Sequence, residues 1–147
     1  MKQVLIKFSV VILATITLTI FEGYWAMGKY ANNISGTCLD CSLKKDLFYF
    51  SLFPLIIILP LLLIILKFNI NKIVKIIGPS FIVACWWFFI NNDIFIDRVS
   101  SWSTYSPNEE WSNSISLSFI PVMVCSCLYA TIFYFILKYR STIASHS

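Results

Sequence analysis

Apolar residues run almost without interruption through four stretches of this chain, at about positions 8–25, 47–66, 73–90 and 115–137, separated by shorter polar segments. Each stretch is near the ~20 residues a helix needs to cross about 30 Å of hydrocarbon. The pattern predicts an all-α protein, an integral membrane four-helix bundle, and leaves little of residues 1–147 for anything beyond a single transmembrane domain. Composition agrees: 59% of residues are hydrophobic, 17% aromatic and only 12% charged, against about 25% charged in an ordinary soluble domain.

Charge then orients the bundle. All seven acidic residues lie in two stretches, Glu22, Asp40 and Asp46 in the first and Asp93, Asp97, Glu109 and Glu110 in the second. Among the bases, Lys2, Lys7, Lys67, Lys72, Lys75, Lys138 and Arg140 fall on one side of the predicted bundle, and Lys29, Lys44, Lys45 and Arg98 on the other. Basic loops stay in the cytoplasm, so both termini and the 67–75 linker are expected inside (N-in/C-in), with 26–46 and 91–114 as outer loops. The expected location is a bacterial cytoplasmic (inner) membrane. The net charge of +4 reads as membrane orientation and not as nucleic-acid binding, since no solvated basic run with interleaved aromatics occurs. The first stretch has a second reading as a signal peptide, with Lys2 and Lys7 before the apolar run and Ala26-Met27-Gly28 as a cleavage site. Glu22, Tyr24 and Trp25 favour an interfacial anchor of a retained span.

Polar positions within the spans come next. Thr15, Thr19 and Glu22 recur at helical spacing and predict one stripe facing other helices. An intramembrane carboxylate is costly, which makes Glu22 a candidate binding residue; the bland alternative places it among the headgroups. Pro54 and Pro60 in the second span, the Gly78-Pro79 step in the third and Pro121 in the fourth predict bends. Ser80 with Ala84 and Ser126 with Ala130 predict close helix approach, and Trp86, Trp87, Phe88 and Phe89 an outer aromatic belt. The 91–113 loop presents Trp102, Tyr105 and Trp111 with Glu109 and Glu110, a set that suits contact with a partner protein or re-entry into the interface.

The sharpest local motif is Cys38-Leu39-Asp40-Cys41, just before the second span. An outward pair permits a disulfide, and Lys44 and Lys45 favour a thiolate. A structural disulfide, redox exchange and soft-metal contact all remain open. In span number, orientation and the placement of this pair, the chain resembles the quinone-linked disulfide oxidases of bacterial inner membranes. That resemblance implies thiol-disulfide exchange at Cys38 and Cys41. The family also carries a second cysteine pair in the second outer loop, where this chain has none between Asn91 and Ile115, and an arginine shortly after the first pair, where Lys44 and Lys45 stand here. Cys125 and Cys127, two residues apart on a helix, point about 200° away from each other, and with Cys85 read as small packing residues.

Other chemistries lack their residues. His146 is the single histidine, which leaves histidine-activated nucleophiles, bis-histidine haem and most zinc sites unsupported. Asp93 and Asp97 are placed similarly to an aspartate of the four-span lipoprotein signal peptidases, but the second catalytic aspartate and the glycine-rich stretch of that family are missing. No cofactor motif is present. The expectation is a small polytopic protein that acts by binding, such as an immunity or protective partner of a membrane-active toxin. The alternatives are an extracytoplasmic thiol-disulfide oxidoreductase and a small transporter component that uses Glu22.

Overall fold

The computed structural model describes residues 2–68 and 71–138, with only the backbone of Lys2 and Gln3; Arg140 and His146 lie outside the described residues. Four long helices make the fold: α1 (Lys2–Met27), α2 (Leu43–Lys67), α3 (Lys72–Arg98) and α4 (Pro107–Lys138). Short 3-10 turns follow α1 at Gly28–Tyr30 and α3 at Ser100–Trp102, and no strand occurs among the described residues. All four helices are long and apolar enough to cross a membrane, which suggests a multi-pass membrane protein.

The helix ends follow from local chemistry. Ser42 caps α2 by accepting from the Lys45 amide, with Asp46 in the first turn and Lys67 in the last, charges that complement the helix dipole. Asn71 caps α3 through the Ile73 amide. At α4, Ser106 precedes Pro107, and Glu109 reaches back to accept from both the amide and the hydroxyl of Ser106 at 2.8 Å; this is one half of a capping box with proline at the first helical position.

Prolines 54, 60, 79 and 121 all sit inside helices that continue through them. Pro54 lacks the N–H that would bond the carbonyl of Phe50. The indole of Trp86 donates to that carbonyl instead, at 3.2 Å. A neighbouring helix thus satisfies a backbone acceptor that lipid would leave bare.

Each helix buries one narrow stripe and exposes the rest. On α3 the buried positions include Ser80, Val83, Trp87, Asn91, Ile94 and Arg98, a helical period, and on α4 Ser114, Ser118, Val122, Cys125, Tyr129 and Phe133. Gly23 lets Leu47 lie directly against the α1 backbone, where a Cβ would collide with its side chain. Meanwhile Leu5 (70% exposed), Ile56 (71%) and Phe81 (66%) represent a surface of large apolar side chains on every helix. A water-soluble monomer rarely carries such contiguous apolar area.

Three sequence expectations change here. The 91–114 outer loop shrinks to 99–106, because α3 continues to Arg98 and α4 begins at Pro107; a helix outlasts its apolar run where other elements hold its polar residues. Trp87 is fully buried against Tyr129, at 6.4 Å between ring centroids, so it belongs to the core and not to an outer belt. Cys127 is exposed, whereas Cys125 is buried, so only the latter packs within the bundle.

Candidate functional site

Two polar constellations stand out, one inside the bundle and one at its disulfide-bearing end. The inner one is the α1 stripe. Thr15, Thr19 and Glu22 are each 0% exposed and each meets a different aromatic or amide partner. The Thr15 hydroxyl donates to the Val11 carbonyl and lies 2.9 Å from the Tyr129 hydroxyl, which is therefore the donor of that pair. Thr19 accepts from the indole of Trp87 at 2.9 Å. Glu22 Oε1 accepts from the Asn91 amide at 2.7 Å. The predicted stripe faces the other helices, and the Glu22 carboxylate is enclosed among them.

This inner site is left incomplete on one side. Glu22 Oε2 and Asn91 Oδ1 are both buried without a hydrogen-bond partner. Two acceptor oxygens on adjoining side chains form a pair that a proton or a small cation would satisfy, and buried orphans of this kind each cost about 1–3 kcal/mol. One helical step away, Asn92 accepts from Ser114 at 3.0 Å and extends the polar contacts to α4.

The second constellation, at the disulfide-bearing end, is built around Arg98, which is 1% exposed. Its guanidinium donates to the carbonyls of Ala31 (3.4 Å), Asn33 (2.8 Å) and Cys41 (2.9 Å) and to Asp46 Oδ2 (2.7 Å). Its own carbonyl accepts from the Asn33 amide at 3.0 Å. The adjacent Asp97 accepts from the amide and hydroxyl of Thr37, at 2.9 and 2.8 Å, and from the Gly36 amide through its backbone carbonyl. Trp102 donates its indole N–H to the Ile34 carbonyl at 2.8 Å. The end of α3 therefore holds the whole segment between α1 and α2, and the carbonyls of that segment converge on one planar fork of donors.

Cys38 and Cys41 are joined by a disulfide inside this clamped segment, both half-buried. Closing so short a loop removes little chain entropy, at most about 2 kcal/mol. Replacing both cysteines with serine is accordingly expected to lower stability by no more than that, with the segment still protected from protease by Arg98 and Asp97. Unfolding in detergent titrations, with limited proteolysis alongside, checks this; a loss far above the entropy limit would show that the disulfide and not the arginine holds the segment.

Of the other residues singled out from sequence, Trp102 (59% exposed), Tyr105 (40%) and Trp111 (38%) are surface aromatics at this same end. Tyr105 packs edge-on to Phe95 and Trp111 to Phe89, so both are fixed in place. Glu109 is engaged in capping α4, and Glu110 accepts from Ser100; these two carboxylates serve local structure first. Beside the clamp lies a cleft of about 240 Å³ lined by Asp46, Asp93 and Asp97 with Thr37, Tyr49 and Ser101. Glu22 is instead enclosed on the α1 stripe with Asn91, so the structure gathers the sequence candidates into two separate places. Sequence reasoning missed Asn91, Trp87, Tyr129 and above all Arg98, which the helical phase of α3 could have exposed. Comparison of the chain with protein-family models, with curated proteins and with solved structures finds no match.

Proposed function

We propose that this chain is a multi-pass protein of a bacterial cytoplasmic membrane, with both termini inside, that works by binding a membrane-active or membrane-embedded partner at its outer end. An immunity-type role against a toxin that acts on that membrane fits this description. The observation that carries the reading is the pre-organised end of the bundle: Arg98 and Asp97 hold the 28–42 segment, Trp102 is bonded to it at Ile34, and the exposed Tyr105 and Trp111 are packed on α3 beside it. Rigid aromatic anchors lose little entropy on binding and dominate protein contacts. The acidic cleft beside them suits a partner with basic side chains, and the lysine-rich opposite end supports the orientation.

The test is protection. Cells that make the chain are expected to survive a membrane-active toxin that kills cells lacking it, and the Trp102→Ala, Trp111→Ala double variant to lose that protection while inserting in the membrane normally. Protection that is absent from the wild type, or unchanged in the double variant, rejects the reading. A second reading, passage of a proton or small cation past Glu22, is favoured by the two unpartnered oxygens at Glu22 and Asn91. In that case Glu22→Gln stops flux in reconstituted vesicles and leaves protection intact.

A further inference from the structure

The end of the bundle opposite the disulfide holds a larger cavity, about 410 Å³, whose lining includes Lys7 from α1, Lys72 and Lys75 from the start of α3, and Lys138 from the end of α4. None of the seven acidic residues lines it. Lys75 is held in place by donating to the Phe68 carbonyl at 2.9 Å, and Lys138 lies 5.9 Å from the Tyr134 ring centroid. Lys7 is only 7% exposed.

The remaining wall is apolar, formed in part by Ile65 and Leu137, and the helix surfaces at this end continue outward as exposed Leu5 and Ile73. Converging lysines select a phosphate. A volume within the ~300–1,000 Å³ range of small-molecule pockets exceeds what a bare phosphate fills. Apolar walls leading onto lipid-facing helix surfaces accommodate the rest of a lipid and offer nothing to a hydrated ion. Basic pockets between helices on the cytoplasmic side are suited to anionic headgroups on these grounds.

We propose that this four-lysine cavity is a binding site for an anionic glycerophospholipid, its phosphate among Lys7, Lys72, Lys75 and Lys138 and its acyl chains along the neighbouring apolar helix faces. The site rests on the membrane reading above but not on the disulfide-bearing end or its partner. Its occupant ties α1, α3 and α4 together at that end of the cavity.

The full-length protein in mild detergent, mixed with equimolar dioleoylphosphatidylglycerol and dioleoylphosphatidylcholine, tests the site by native mass spectrometry. The phosphatidylglycerol adduct is expected to dominate by about tenfold, and the Lys72→Gln, Lys138→Gln double variant to bring the two lipids near parity. Both substituted lysines are exposed, so the fold survives their loss; the variant's thermal unfolding in phosphatidylcholine confirms it. Parity in the wild type overturns the proposal, as does an undiminished preference in the folded variant. Displacement of the lipid by excess inorganic phosphate also overturns it, by assigning the lysines to a soluble anion. A chain that stays dissolved and monomeric without detergent removes the membrane reading itself, an outcome distinct from a detergent-requiring chain with no lipid preference.

Discussion

Arg98→Ala is expected to lower the unfolding free energy by about 3 kcal/mol, the largest loss from any single substitution at the disulfide-bearing end. Truncation leaves three carbonyls and the Asp46 carboxylate without the donor they share. A fully buried pair broken on one side costs about 3–5 kcal/mol; Asp46 remains 23% exposed, so water recovers part of its loss and places the effect at the lower bound. Arg98→Lys should recover only a fraction, because the three donors of an ammonium sit on one nitrogen and cannot span acceptors that the planar fork reaches from two. Tryptophan fluorescence during titration with a denaturing detergent reads the stability, and protease cleavage within 31–42 reads the loop. A variant within about 0.5 kcal/mol of wild type, the ordinary range for a surface substitution, would mean that the clamp contributes nothing.

The second large effect has the opposite sign. Glu22→Gln is expected to stabilise the bundle by about 1–3 kcal/mol, because a side-chain amide keeps the acceptor for the Asn91 N–H and adds a donor for Asn91 Oδ1. Two buried orphans, Glu22 Oε2 and Asn91 Oδ1, disappear in one substitution of nearly equal volume. Glu22→Ala should destabilise instead, leaving a void and an unpaired amide. The same titration checks both, and a glutamine variant less stable than wild type would show that the carboxylate has a partner the geometry does not provide. If Gln is more stable and also stops ion flux, the carboxylate is held at a cost to the fold for the sake of transport; if flux is absent throughout, Glu22 serves packing between α1 and α3.

Much of this architecture was legible because apolar runs long enough to cross a membrane have few alternatives to long helices. The four stretches read from sequence became four helices, and the period of Thr15, Thr19 and Glu22 correctly turned them inward. What stayed hidden was the partner set. Trp86 and Trp87 are indistinguishable in an apolar run, yet one serves the Phe50 carbonyl and the other the Thr19 hydroxyl. Only the phase through Trp87, Asn91, Ile94 and Arg98 separates them, and that phase becomes visible once α3 is allowed to run past its last apolar residue. The polar stretch from Asn91 to Arg98 looked like a loop because its residues suit water; the clamp and the contact with Ser114 supply those needs within a helix. The disulfide was readable as a possibility, whereas its anchorage depended on an arginine 57 positions away.

The order in which ribosomes deliver these pieces gives the α3 terminus a timing role. The cysteine carbonyl that Arg98 holds is synthesised 57 positions before the arginine, so the contacts that shape the segment form only once the end of α3 has been made. Until then the turn lacks the donors that its carbonyls at Asn33 and Cys41 share.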